Sequence, residues 1–277
     1  MNIKSNNVHI RFKLVNELTY LIMEQVKKYK KSLDTRGRKQ IFLYEDIIKI
    51  FLTKLETNLT YTRLSSIYGI SKSHIHNIFN KWTIYGVFKN AYTKFLKKYS
   101  LYLYINNDEA YIDTTTILNK YGYINTVGYN SFESKKHKCN KLSIISSANG
   151  IPLGIKLGTG NIHDIKLLIE SLPKKHFFKC LYADKGYNSI KLKNRLLITK
   201  KIKLIYPYKT NQIDKNTIED KHGLHNRMRV EHVNNFLKQN KSLNTRYEKS
   251  LQTFESLIYM GCLKLGLQIV IRDFYNF

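Results

Sequence analysis

Apolar residues recur along the first third of the chain with the spacing of amphipathic helices. A 3.6-residue period joins one set of positions near the N-terminus, namely Phe12, Val15, Leu18, Leu21, Ile22 and Val26. A second helix is predicted from Leu43 to Leu55, and two shorter helices are predicted on either side of Gly69. This pattern predicts an all-helical N-terminal part.

After Asn107 the pattern changes to short β-branched and apolar runs that alternate with helices. A helix from Asp164 to Leu172 is predicted to end before Pro173, and a later helix carries the apolar stripe Val230, Val233 and Leu237. Strands are predicted over 109–118, 141–147, 152–157, 177–183 and 202–206, with a turn at 148–150. The fold class is therefore predicted to be α/β behind a helical head.

Residues 59–82 have the features of a helix-turn-helix, with a plain helical hairpin as the alternative. Thr60 and Ser71 are suited to cap the two helices, and Gly69 permits the tight turn. The predicted shared core is Leu64, Ile67, Ile70, Ile75 and Ile78. The residues predicted to face DNA are Ser71, Lys72, Ser73, His74, Asn77 and Lys81.

The charge of the chain favours a polyanionic partner. Lys and Arg number 47 against 20 Asp and Glu, a net charge of +27, and a field of that sign attracts nucleic acid first. An anionic membrane surface is the competing partner, but no isolated basic amphipathic segment favours it. Two basic runs are equally consistent with solvated segments and with DNA contacts: Arg36 with Arg38, and Lys135, Lys136 and Lys138 in a predicted loop.

Cysteine usage and hydropathy indicate a soluble protein of a reducing compartment. Cys139, Cys180 and Cys262 are far apart and form no CxxC pair, so neither a disulfide framework nor a zinc ribbon is predicted. The first seven residues lack the apolar core of a signal peptide. The apolar run from Leu257 to Ile271 is interrupted by Lys264 and is expected to be too short for a bilayer.

Three carboxylates stand out because acids are scarce. Asp113 lies inside an apolar strand, Asp184 ends another, and Glu231 lies on a helix rich in cations. Two of them have an ordinary alternative: Asp113 could be a strand-end cap or a turn aspartate, and Glu231 could form an i,i+4 ion pair with Arg227. Asp164 is predicted to be a first-turn helix acid rather than a metal ligand. If the three acids converge, divalent cations are needed to offset their repulsion, and two Mg²⁺ ions would suit phosphodiester chemistry.

Four segments in this order resemble DDE transposases of the insertion-sequence (families four and five) and harbinger-like superfamily. They are Ile112-Asp113-Thr114-Thr115-Thr116, Gly160-Asn161-Ile162-His163-Asp164, Ala183-Asp184-Lys185-Gly186-Tyr187 and Arg227…Glu231…Lys238. The resemblance spans residues 108–266 and implies a ribonuclease H-like mixed sheet flanked by helices, preceded by an all-α helix-turn-helix domain.

The resemblance also implies roles for individual residues. Asp113, Asp184 and Glu231 would bind two Mg²⁺ ions, with Mn²⁺ as a substitute, while Arg227 and Lys238 would hold the terminal DNA. Lys185 joins the expected DNA contacts. One departure is Leu224, which stands where the family often has a tyrosine, so a base-stacking role at that position is not expected.

The resulting expectation is a transposase that binds terminal inverted repeats, cleaves phosphodiesters and joins the 3′-hydroxyl ends to target DNA. Expected domains are a helix and basic linker over 1–40, a helix-turn-helix over 41–100 and a catalytic domain over 101–277. By analogy, a homodimer on double-stranded DNA is expected, with no membrane partner. It would act in the cytoplasm or nucleoid of a prokaryote, or in a nucleus or viral factory. Two alternatives remain: a domesticated DNA-binding regulator without cleavage, and a nuclease of the same fold without strand transfer.

Overall fold

The computed structural model describes residues 3–31, 42–105, 108–130, 134–208 and 215–275. Its helices are α1 (Ile3–Lys31), α2 (Tyr44–Thr57), α3 (Tyr61–Tyr68), α4 (Lys72–Ile84), α5 (Val87–Lys98), α6 (Ser100–Ile105), α7 (Asp164–Ser171), α8 (Ile190–Lys200), α9 (Ile218–His225), α10 (Met228–Gln239), α11 (Lys241–Asn244) and α12 (Leu251–Tyr275). Its strands are β1 (Glu109–Asn119), β2 (Gly128–Asn130), β3 (Ser134–Ser147), β4 (Pro152–Thr159), β5 (Cys180–Tyr182), β6 (Lys203–Ile205) and β7 (Thr245–Arg246).

These elements form two compact units. The helical unit comprises Met1–Lys98, Lys120–Gly122 and Leu237–Phe277, and the sheet unit comprises Tyr99–Asn119 and Tyr123–Phe236. The division differs from the predicted boundaries, because the C-terminal residues group with the N-terminal helices rather than with the sheet.

The helix-turn-helix lies in the helical unit and has the predicted caps. Thr60 Oγ1 accepts a hydrogen bond from the Arg63 N–H at 3.3 Å, and Ser71 Oγ accepts one from the His74 N–H at 3.3 Å. Gly69 ends α3 at φ +66°, in the left-handed region that favours glycine.

The shared core of this motif differs from the prediction at Ile67, whose side chain is 61% exposed. Helix α3 has only eight residues before the turn at Gly69, and Leu64 is its one buried residue. Aromatic residues of α4 supply much of the remaining core, with Phe79 and Trp82 both packed against Phe51 of α2.

Helix α12 is the main core helix of the helical unit and packs on α1, α2, α4, α5 and α11. The prediction of a closing core helix is confirmed, but the expectation that its apolar run is too short for a bilayer is wrong. Among the described residues, Leu251–Phe274 forms a helix whose length and apolar composition would suffice to cross a membrane. Within the most apolar stretch of this helix, 83% is buried inside the protein, as expected for a core helix.

The sheet unit contains a mixed sheet flanked by helices, and the predicted ribonuclease H-like fold class is confirmed. The order β4-β3-β1-β5-β6 runs across the sheet, and β2 also pairs with β3. Strand β3 is antiparallel to β1 and β4, whereas β5 is parallel to both β1 and β6. Three antiparallel strands followed by two parallel ones place β1 at the centre of the sheet.

Lys135, Lys136 and Lys138 lie on a strand rather than in a loop, so that part of the prediction is wrong. Strand β3 begins at Ser134 because β2 supplies a partner, with Gly128 opposite Cys139 and Tyr129 opposite Lys138. The Lys138 ammonium lies 5.9 Å from the centre of the Tyr129 ring, while the side chains of Lys135 and Lys136 lie outside the described part.

Candidate active site and nucleic-acid interface

The two aspartates predicted to be functional are placed by neighbouring parallel strands. Tyr111 of β1 is in register with Tyr182 of β5, and each aspartate follows its tyrosine by two residues. Since side chains alternate along a strand, Asp113 shares a face with Tyr111 and the chain directs Asp184 to the same end of the sheet. Asp184 then starts a short 3-10 turn, Lys185–Tyr187, by accepting a hydrogen bond from the Gly186 N–H at 2.8 Å.

Glu231 reaches the same face of the sheet from α10. Val230, the residue before it, is fully buried in a cluster with Tyr111, Tyr182 and Ile205. Tyr111 and Tyr182 stack with ring centres 5.5 Å apart, and Val230 of α10 packs against this pair of rings. Val233 and Leu237 complete the predicted buried stripe of this helix. Packing of Val230 on Tyr111 and Tyr182 therefore places this part of α10 beside β1 and β5.

A guanidinium group connects two of the three carboxylates. Arg227 Nη2 donates to Glu231 Oε1 at 2.9 Å, and its Nη1 lies 3.6 Å from Asp113 Oδ1. The i,i+4 ion pair foreseen as the ordinary alternative is therefore present, but it also reaches Asp113. Arg227 acts as an internal counter-ion where two negative charges approach each other.

The acidity of the Asp113 carboxyl is perturbed by its surroundings. Burial raises the pKa of its carboxyl to about 6, against an ordinary value of 3.8. The Arg227 charge and a hydrogen bond from the Thr114 backbone lower this pKa, while the charges of Asp184 and Glu231 raise it. Asp184 and Glu231 are thus close enough to Asp113 for their charges to affect its pKa, and a perturbed carboxyl group of this kind is typical of functional sites.

Carboxylate oxygens are the ligands that Mg²⁺ prefers, so the chemistry of the three acids fits the predicted cofactor. Among residues that the structure describes, however, no three His, Cys, Asp or Glu side chains are grouped closely enough to hold a metal ion. The guanidinium of Arg227 lies between the carboxylates of Asp113 and Glu231. Metal binding by this set remains a prediction and requires that the guanidinium move.

Asp164 lies elsewhere in an ordinary structural role, as predicted. It is the first residue of α7, and its carboxylate pairs with Lys141 of β3 at 2.8 Å. The His163 side chain, rather than Asp164, caps this helix by accepting from the Ile165 N–H.

Two contributors to the site were not singled out from the sequence. Asn234 of α10 donates from Nδ2 to Asp113 Oδ2 at 2.9 Å. On the other face of the sheet, the Tyr187 hydroxyl lies 2.8 Å from Thr114 Oγ1, which ties the turn after Asp184 to β1. The spacing of Asn234, three residues after Glu231, is a signal that could have identified it, because i,i+3 residues share a helix face.

The helix-turn-helix presents a polar outer surface on α4. Ser71, Lys72, Ser73, Asn77 and Lys81 are exposed, as predicted. His74 departs from the prediction: its ring lies 5.7 Å from the Phe42 ring, and its Nε2 is buried without a hydrogen-bond partner in the described part of the chain. His76 is the exposed histidine of this helix.

The remaining predicted DNA contacts are distributed as follows. Lys185 is exposed in the turn directly after Asp184, and Lys238 is half-buried in the last turn of α10, within the helical unit. Arg36 and Arg38 lie outside the described residues.

Comparison with known protein families gives two matches in this chain. Residues 137–250 match the family model for the transposase DDE domain, and residues 48–85 match the model for the helix-turn-helix of DDE superfamily endonucleases. The second range contains α3 and α4, which confirms the predicted helix-turn-helix.

Among solved structures, the chain is similar to the pre-cleavage Mos1 transpososome at 10% identity, covering 80% of this chain and 86% of the other, with a TM-score of 0.25. The Mos1 transposase paired-end complex with the left transposon end matches at 12% identity, covering 81% and 88%, with a TM-score of 0.25. Similarity at this level does not transfer the activity of those complexes to this chain. No curated protein matches it.

Proposed function

We propose, from the premise that this chain belongs to the DDE transposase family, that it is a metal-dependent enzyme that cuts and rejoins DNA. The observation that supports the proposal is that Arg227 connects the carboxylates of Asp113 and Glu231, while Asp184 follows the strand that is parallel to the strand of Asp113. The shared contact with Arg227 distinguishes Asp113 and Glu231 from Asp164, which pairs with Lys141.

Each residue of the site has a role that follows from its position. Asp113, Asp184 and Glu231 would hold two Mg²⁺ ions, for which Mn²⁺ would substitute. When bound, these ions would activate the attacking water or 3′-hydroxyl and stabilise the leaving oxygen. Arg227 offers a forked donor that suits a phosphate group, so it would leave the carboxylates and contact the DNA backbone. Lys185, exposed beside Asp184, would neutralise a neighbouring phosphate.

DNA binding would begin at the helical unit. The exposed side chains of α4 are suited to a major groove, and Lys72 and Lys81 are suited to the flanking phosphates. The net charge of +27 would speed association and make affinity strongly dependent on salt. Two protomers would hold two element ends, an expectation that rests on analogy alone.

The test is DNA cleavage by the purified full-length protein on a plasmid that carries the sequences flanking its reading frame. With Mg²⁺ or Mn²⁺, the wild type should nick these ends, whereas Asp113→Asn, Asp184→Asn and Glu231→Gln should reduce nicking at least a thousandfold while still binding DNA. Asp108→Asn is the matched control, because its carboxylate is 70% exposed and should be dispensable.

The outcome also separates the three candidate activities. A 3′-hydroxyl oligonucleotide joined to a second plasmid would support transposition, and nicking without joining would indicate a nuclease. Binding without any nicking, in the wild type and under both metals, would contradict the enzymatic proposal and leave a DNA-binding regulator.

A further inference from the structure

The side chain of Asn234 makes a polar contact in an otherwise apolar part of α10. It is only 5% exposed, and its neighbours along the helix include the buried Val230, Val233 and Leu237. A buried amide is unfavourable unless it forms hydrogen bonds, and this one directs its Nδ2 to Asp113 Oδ2 at 2.9 Å. The contact joins two residues that are 121 positions apart in the chain.

Asn234 and Arg227 contact opposite oxygens of the same carboxylate. Asn234 donates to Oδ2, whereas the guanidinium of Arg227 lies 3.6 Å from Oδ1 on the side that also leads to Glu231. The terminal torsion of an aspartate is intrinsically broad, so a donor on one oxygen is needed to orient the carboxylate plane. A neutral amide does this without competing for the place of a cation.

The amide oxygen of Asn234 also indicates that this residue has a role besides packing. Asn234 Oδ1 is buried and has no hydrogen-bond partner among the described residues. A residue selected for packing alone would not leave a buried oxygen without a hydrogen bond, and leucine would continue the apolar stripe. The donor to Asp113 is therefore the feature that explains an asparagine at this position.

We propose that Asn234 is a positioning residue that orients the Asp113 carboxylate toward Glu231, so that the two acids are arranged to receive a divalent cation once Arg227 withdraws. The inference rests on the proposed function, since it assumes that Asp113 is a metal ligand. Hydrogen bonds to ligating carboxylates of this kind typically change metal affinity by about 10- to 100-fold.

The experiment is calorimetric titration of Mn²⁺ alone into the full-length protein without DNA. The wild type should bind Mn²⁺ in a manner that Asp113→Asn abolishes. Asn234→Leu removes the donor and should weaken binding about tenfold or more. Asn234→Gln keeps an amide donor and should recover part of that loss. Asn235→Leu, at the neighbouring exposed position, is the matched control and should bind as the wild type does.

A packing role predicts the opposite order, because glutamine is larger and polar whereas leucine suits the apolar stripe. If Asn234→Leu binds Mn²⁺ as tightly as the wild type, or if glutamine binds no better than leucine, the inference is overturned. Urea unfolding of each variant identifies any that has lost its fold, and Asn234→Ala then replaces it. If the wild type itself shows no Asp113-dependent Mn²⁺ binding, the proposed function fails instead, and the two failures are distinguishable.

Discussion

Replacing Asp113 with asparagine should make the metal-free protein more stable at neutral pH. Burial raises the pKa of the Asp113 carboxyl to about 6, although the Arg227 guanidinium opposes this increase. At pH 7 the folded protein therefore holds an ionised carboxylate in surroundings that favour the protonated form. Asparagine has nearly the same shape, carries no charge and retains an oxygen that accepts from Asn234.

The sign and size of the effect follow from the two pKa values. A folded-state pKa above the unfolded one gives stability that is fully present below pH 3.8 and is lost as the pH rises through about 6. The folded and unfolded pKa values of Asp113 differ by about 2.2, and each pKa unit corresponds to about 1.36 kcal/mol. Ionisation of Asp113 therefore lowers the free energy of unfolding by about 3 kcal/mol at pH 7.5. At pH 4.5 the same loss of stability is only about 1 kcal/mol.

The assay is urea unfolding of the wild type and Asp113→Asn in EDTA at pH 4.5 and 7.5. The variant should gain about 3 kcal/mol at the higher pH and about 1 kcal/mol at the lower one. Asp108→Asn, which alters a carboxylate that is 70% exposed, should change stability by less than about 0.5 kcal/mol at both.

Added Mg²⁺ provides a second arm of this experiment. A hundredfold excess over its Kd should stabilise the wild type by about 2.7 kcal/mol and leave Asp113→Asn unchanged. If Asp113→Asn is less stable than the wild type at pH 7.5 without divalent ions, the fold stabilises the ionised Asp113 carboxylate of the wild type. That result would refute the reasoning.

Three further substitutions test the packing and the DNA-binding surface. Lys54 and Glu248 form a buried ion pair at 3.0 Å, with side chains 6% and 8% exposed. Lys54→Met leaves the Glu248 carboxylate without this partner and should lower the free energy of unfolding in urea by about 3–5 kcal/mol. A decrease below about 1 kcal/mol would contradict a buried unpaired charge. Gly223→Ala would place a Cβ 2.1 Å from the Tyr182 ring and should destabilise the protein by about 1–3 kcal/mol, seen as a lower Tm; an unchanged Tm would show that α9 shifts freely. Lys81→Ala should weaken DNA binding uniformly across sequences and reduce the slope of log K against log salt by about 0.9; an unchanged slope would place this lysine away from phosphate.

Local features that depend on neighbouring residues were predictable from the sequence. The caps at Thr60 and Ser71 and the turn at Gly69 need only a few adjacent positions, and all three occur as expected. The central strands were identified because β-branched runs and turn residues have short-range signatures. The stripe of Val230, Val233 and Leu237 was likewise a matter of helical period.

The errors arose where an element depends on a distant partner. Lys135, Lys136 and Lys138 belong to a strand because β2 pairs with it, which no local pattern indicates. Helix α12 is apolar in sequence, but only packing decides that it is buried on α1 and α5 in the helical unit. The His74 ring lies near the ring of Phe42, a residue 32 positions away that precedes α2.

Residue chemistry and short periods along the chain were enough to predict most helices and strands, the helix-turn-helix and three candidate acids. The position of Arg227 between Asp113 and Glu231, and the hydrogen bond from Asn234 to the other oxygen of Asp113, arise only from the folded structure. The contacts of Arg227 and Asn234 with Asp113 join residues more than 100 positions apart. Their geometry depends on how α10 packs against the sheet, and packing of that kind is a property of the folded chain as a whole.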